Sequence, residues 1–253
     1  MEVLTPDWPV PPNIHSLVTT RDGGISLPPF SSLNLGDHVG DDPRTVQANR
    51  TILRVQLPSD PIWLKQVHGT FVSTPMNRRL LSEHVIEADA AVTNQANEVL
   101  VVMTADCLPI LFSNQMGDVV GVAHAGWRGL CAGVLENTVT EMLKLGTGMS
   151  ANKLMAWMGP AIGPAAFEVG EDVYAAFLNA GIAFPANAFV AIPGRPGKFF
   201  ANLYTLAQSR LSALGIEQIY GGNFCTVTDQ KRFFSHRRDA VSGRFASLIW
   251  LTQ

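Results

Sequence analysis

The sequence predicts an α/β (α+β) protein in which helices flank a mixed β core in layers. Three observations carry this. Short apolar runs at 61–67, 99–103, 108–113, 118–123, 154–158, 216–220 and 245–251 have strand length and β-branched or aromatic content. Segments with a 3.6-residue apolar period and explicit end signals alternate with them irregularly, which suits a mixed sheet. A chain of 253 residues that is 47% hydrophobic, without an internal repeat or low-complexity tract, is expected to form one domain over 1–253.

Taken in order, "DDPRTVQANRTILRVQLP" opens on Asp42 as N-cap and Pro43 at the first helical position, and Pro58 closes it. The run "PIWLKQVHGT" reads as a strand ending at His68, where Gly69 lets another group approach closely. After "VLVVMT", the runs "LPILFS" and "DVVGVA" read as an antiparallel hairpin. The stretch "GLCAGVLENTVTEMLKLG" is an amphipathic helix with Leu130, Val134, Leu135, Val139, Met142 and Leu143 on one face, ending at Gly146. Residues 187–200, "NAFVAIPGRPGKFF", read as a Pro/Gly-rich excursion between ordered parts. "NLYTLAQSRLSALG" is a helix capped by Asn202, with Leu203, Leu206, Leu211 and Leu214 inward and Gly215 as terminator.

A net charge of −3 and a pI near 6 supply no general attraction to nucleic acid or anionic membrane. The start "MEVLTPDWPVPPN" lacks the basic and apolar regions of a secretory leader, and no run approaches the ~20 apolar residues of a membrane span. The expected compartment is cytoplasmic. Cys107, Cys131 and Cys225 are odd in number and far apart, so reduced thiols are expected rather than a disulfide framework.

The hairpin places chemistry. A tight loop centred on Gln115 and Met116 sets Cys107 directly opposite His124, with Cβ atoms ~5 Å apart at the open end. A cysteine and histidine converging at a strand end support two chemistries: a thiolate nucleophile activated by imidazole, or half of a metal shell. A third ligand decides between them. Of His15, His38, His68, His84 and His236, the strand-end His68 is the best third candidate. Asp106 beside the cysteine and Arg128 after His124 collect further polar groups at the strand ends, where binding sites form.

The motifs "TTRDGGIS", "SLNLG", "KQVHG", "EADA", "MTADCLPIL", "HAGWRG", "GPAIGPAAFEVG", "FCT" and "FFSHRRDAVSGRFASLIWL" span nearly the whole chain. Together they resemble the YfiH-type purine nucleoside phosphorylases, also known as the multicopper polyphenol oxidoreductase or laccase domain family. The resemblance implies a zinc ion held by His68, Cys107 and His124. It also implies phosphorolysis of adenosine, inosine and methylthioadenosine to free base and ribose 1-phosphate sugar, with adenosine deaminase activity beside it. The implied partners are small purine nucleosides and phosphate, with no nucleic acid or membrane.

Three protein ligands leave a fourth zinc position open for water or substrate. Phosphorolysis also needs cationic or amide donors for an anion, and guanidinium forks match phosphate. Arg21 and Arg128, in Gly-rich motif loops, are the first choices, with Arg128 counted among the catalytic residues alongside Cys107 and His124. Arg237 and Arg238 follow as further phosphate candidates. Asn34, Gln66 and Asp89 are candidates to orient ribose or base. Cys131 reads as structural, while Cys225, following the strand "IEQIYGG", either approaches the pocket or, as is commoner for a free thiol, is core.

Other enzymes remain open on these residues: a cysteine hydrolase or deamidase with Cys107 as nucleophile and His124 as base, or an enzyme editing a peptidoglycan precursor. Copper is possible in the same His/Cys/His site. A multicopper oxidase nevertheless needs a histidine-rich cluster, and six histidines with no H-x-H pair are too few for one.

Overall fold

The computed structural model describes residues 1–80, 85–146, 148–181 and 183–253, so His84 lies outside the described residues. Two sheets lie face to face. The first has the order β1 (Val3–Leu4), β2 (Ile14–Thr19), β14 (Phe245–Leu251), β6 (Val99–Thr104) and β3 (Pro61–Ile62). The second has the order β13 (Gln218–Gly221), β9 (Leu154–Met158), β7 (Leu108–Asn114), β8 (Val120–Ala125), β5 (Ala90–Thr93) and β4 (Val72–Ser73). Most pairs are antiparallel, whereas β3–β6, β4–β5 and β13–β9 are parallel, so both sheets are mixed.

Helices cover the outer faces. Helix α1 (Pro43–Arg54) lies on the first sheet, and α4 (Val134–Leu145) and α6 (Leu203–Ala213) lie on the second. The pleat explains why "VLVVMT" is apolar at every position. Its Leu100 and Val102 enter the space between the sheets, where they meet Leu111, Val120, Val122 and Trp157. Val99, Val101 and Met103 point the other way, toward Leu53 of α1. Shorter helices α2 (Pro75–Leu80), α3 (Trp127–Ala132), α5 (Glu171–Asn179) and α7 (His236–Asp239) lie in the connections. No helix of the described residues is long and apolar enough to cross a membrane.

The expected caps form: Asp42 accepts from the backbone N–H groups of Arg44 and Thr45, and Asn202 from those of Tyr204 and Thr205. Four expectations change. The run at 61–67 is a strand only over Pro61–Ile62, and His68 sits beyond it at φ +61°. The helix expected from Gly129 to Gly146 begins at Trp127 and breaks at Gly133, whose φ of +103° belongs to the left-handed region that favours glycine. Residues 187–200 are not an excursion: β11 (Phe189–Ala191) and β12 (Lys198–Ala201) form a hairpin completed by β10 (Glu168–Gly170), and only the Pro/Gly segment between them is a turn.

The fourth change concerns the β7–β8 register. Pro109, not Cys107, lies opposite His124, because the connection is longer than a tight two-residue loop and is centred between Met116 and Gly117. A two-residue displacement along the strand preserves the face. Cys107, one residue before β7, therefore stays on the side of His124 and meets it diagonally.

Candidate metal centre

Three chain segments converge at one end of the second sheet. His124 is in β8, Cys107 is in the bend entering β7, and His68 is in the turn that precedes β4. The potential ligand atoms of His68, Cys107 and His124 all lie within 4.8 Å of one another. Cys107 Sγ is 3.7 Å from His68 Nε2, and the two imidazoles meet edge to face with centroids 4.8 Å apart.

The fully buried Asp89, immediately before β5, organises two of these ligands. Its carboxylate accepts the backbone N–H groups of Val67 at 3.1 Å, His68 at 2.9 Å and Gly69 at 2.7 Å. Those bonds hold the turn in which His68 adopts its left-handed backbone. The same carboxylate accepts the Nδ1 hydrogen of His124 at 2.8 Å, an assignment that follows from the bonding network and leaves Nε2 free as the ligand atom.

Glycines of "HAGWRG" make the convergence possible. A Cβ on Gly126 would stand 2.9 Å from His68 Cδ2 and 3.0 Å from Cys107 Sγ, while one on Gly129 would stand 2.9 Å from the Gly69 carbonyl oxygen. Asp106, at φ +89°, shapes the cysteine side. Its carboxylate accepts from Thr226 Oγ1 and from the Arg237 backbone N–H, both at 2.6 Å, and its carbonyl accepts from Ile162 N at 2.9 Å.

Burial by itself would raise the Cys107 pKa, but the charge and hydrogen bonding of His124, with help from His68, bring it down to about 6. Burial would likewise lower His124, yet Cys107 and Asp89 raise it to about 9. With no cation between them the pair therefore favours a thiolate facing an imidazolium, whose Nε2 proton a bound metal would displace. Burial opposes ionisation of Asp89 too, and the hydrogen bond and charge of His124 outweigh it.

A thiolate and two imidazole nitrogens suit a tetrahedral cation with one side open. Bonds of ~2.3 Å to sulfur and ~2.1 Å to nitrogen would separate the two donors by roughly 3.6 Å, close to the Cys107–His68 spacing. Among the described residues, this is the group of three potential ligands that the fold gathers.

Other sequence candidates fall elsewhere. Asn34 is fully buried: its Nδ2 donates to Gly36 O and Asp41 Oδ2, and its Oδ1 accepts from Gly36 N and Arg244 N. Asn34 thus positions backbone, and Asp89 positions both the backbone of the His68 turn and the His124 ring. Gln66 uses both ends of its amide on the Met103 backbone, standing in for a rung on β6. Arg21 donates to the carbonyls of Ser31 and Gln230, in a cleft that none of the three ligands lines. Arg128 is exposed on α3, against the Trp127 ring, in the turn that follows His124. Arg237 is exposed, donates to Glu168 O, and shares Asp106 with the cysteine bend. Arg238 is bonded to Asp239 and to the Thr226 and Phe233 carbonyls.

Cys225 is half-buried rather than core and lines a cavity of about 750 Å³ with Tyr204, Phe224 and Gly163. Its neighbour Thr226 bonds Asp106, which ties this segment to the cysteine bend. Cys131 packs against the core of the second sheet. In the sequence nothing separates Arg244 from the other arginines; its position level with Ala105, two residues before Cys107, exists only once β14 pairs with β6.

Residues 15–252 match the family described as multi-copper polyphenol oxidoreductase laccase. The chain belongs to this family. It is 49% identical to a purine nucleoside phosphorylase of Haemophilus influenzae, over 99% of both chains, and 48% identical to the Escherichia coli K12 purine nucleoside phosphorylase YfiH, again over 99% of both. A crystal structure from Neisseria meningitidis superimposes with a TM-score of 0.90 at 45% identity, covering 100% of each chain. YlmD of Geobacillus stearothermophilus does so with a TM-score of 0.84 at 29% identity, covering 96% of this chain and 93% of that one.

Proposed function

We propose that this laccase-family chain is a cytoplasmic, zinc-dependent purine nucleoside phosphorylase. It would cleave inosine, adenosine and methylthioadenosine with phosphate and deaminate adenosine as a second activity. The observation that carries the reading is the near-half identity, over essentially the whole chain, to proteins named purine nucleoside phosphorylase. The open His–Cys–His group is compatible with it.

His68, Cys107 and His124 are the residues that would hold the zinc, whose bound form supplies a Lewis acid able to polarise an oxygen at the open position. Asp89 holds His124 in the tautomer that presents Nε2 and keeps the His68 turn closed. In phosphorolysis the C1′–N9 bond breaks, a C1′–O bond to phosphate forms, and the purine leaves with a proton. Exposed Arg128 and Arg237 would supply guanidinium donors to substrate oxygens as negative charge moves from phosphate to base, a role supported by their exposure and by the Arg237 backbone bond to Asp106.

The test is metal analysis of purified protein together with inosine turnover in the presence and absence of phosphate, with ³¹P NMR of the products. The reading expects about one zinc per chain, phosphate-dependent hypoxanthine release and a ribose 1-phosphate signal. Hypoxanthine release at the same rate in phosphate-free buffer would replace it with a hydrolase.

A further inference from the structure

The "SLNLG" and "SGR" motifs meet in the fold. Asn34 Oδ1 accepts the Arg244 backbone N–H at 2.9 Å, and the Arg244 carbonyl accepts from Leu35 N at 3.1 Å. Gly36 leaves room for the arginine stem, since a Cβ there would stand 2.8 Å from Arg244 Cγ. The register that pairs Phe245 with Thr104 sets Arg244 level with Ala105, two residues before Cys107. Its guanidinium donates from Nη1 to the carbonyls of Ser242 at 2.9 Å and Gly243 at 3.0 Å.

What the guanidinium lacks is an acid. Among the described residues no carboxylate lies within ion-pair distance of it. Asp37, in the adjoining loop, pairs with Arg50, and both oxygens of Asp106 are engaged by Thr226 and Arg237. Burial works against the charge on Arg244, and Cys107 and Asp106 are the groups that support it. A half-buried guanidinium with no acid partner among the described residues, its Nη1 on two carbonyls and its backbone level with the approach to Cys107, calls for an anion from solvent on its remaining donors.

We propose that Arg244 anchors an anion subsite next to Cys107 that takes the inorganic phosphate co-substrate. This rests on the phosphorolysis reading and assigns its anion to a residue outside the Arg21 and Arg128 loops. A nucleoside 5′-phosphate presents the same chemical group, so the two sources are tested side by side.

Zinc-loaded wild type, Arg244→Gln, Arg244→Lys and a surface control, Arg44→Gln on α1, are titrated calorimetrically with inorganic phosphate and separately with inosine 5′-monophosphate. Phosphate KM and inosine KM are measured on the same samples, with zinc content and Tm as checks. Losing a charge-assisted bidentate contact predicts phosphate affinity weaker by about tenfold to hundredfold in Arg244→Gln. Arg244→Lys falls between, Arg44→Gln matches wild type, and the inosine KM moves by less than about threefold, well short of the loss expected for a charged hydrogen bond.

Should Arg244→Gln fail to fold, the lysine variant decides, because it keeps the charge and removes the fork. Wild-type phosphate affinity in the glutamine variant, or in the lysine variant if that alone folds, overturns the assignment. So does an Arg244 effect confined to inosine 5′-monophosphate. Phosphate-independent base release by wild type instead overturns the phosphorolysis reading, and the calorimetric comparison still decides the subsite.

Discussion

Asp89 and His124 share a hydrogen bond of 2.8 Å inside the protein, and the same carboxylate closes the turn that carries His68. One buried acid therefore orients two of the three candidate ligands. Asp89→Asn keeps the size of the side chain but replaces one acceptor oxygen with a donor. Zinc affinity should fall by about 10-fold to 100-fold, the usual cost of losing such a partner. Chelator competition against a zinc dye checks this; unchanged affinity would mean that the backbone alone orients His124.

Gly126→Ala places a methyl group within about van der Waals overlap of His68 and Cys107, whose atoms stand 2.9 and 3.0 Å from the new Cβ. Because Gly126 is the N-cap of α3 with φ of −60°, alanine fits the backbone there. The expected result is a folded protein, by circular dichroism, with reduced zinc occupancy. Full occupancy would show that the ligand side chains can separate freely.

Cys107 should be protected from iodoacetamide in zinc-loaded protein and become selectively labelled after chelation, as read by mass spectrometry. In the chelated protein its pKa of about 6 keeps it largely thiolate at neutral pH, so labelling should slow as pH falls through 6. Burial raises Cys131, which should label slowly throughout. Rapid Cys107 labelling of fully loaded protein would promote the cysteine hydrolase alternative.

Asn34→Ala removes a side chain that joins Gly36, Asp41 and Arg244 and leaves buried backbone groups without partners. Urea unfolding should show a loss of about 2–4 kcal/mol, given about 1–3 kcal/mol for each unsatisfied buried group. Phosphate affinity should weaken alongside, since Arg244 loses its anchor. A loss below about 0.5 kcal/mol, the range of ordinary surface substitutions, would show that the loop holds itself.

Local order was legible in the sequence because it depends on neighbours along the chain. The Asp42 and Asn202 caps, the face of α4 and the strands at 99–104, 108–114 and 245–251 follow from periodicity and end signals. The three candidate ligands were legible too, two from a hairpin whose error of two residues kept them on one face. Tertiary structure decided the rest. The short strands β4 and β5 and the hairpin β11–β12 owe their pairing to partners distant in sequence, or to a turn whose composition resembles a linker. Asn34 and Asp89 look like exposed turn residues until the layers close over them, and Arg244 resembles any surface arginine until β14 meets β6. Burial and cross-strand proximity arise from packing, so no reading of neighbouring letters contains them.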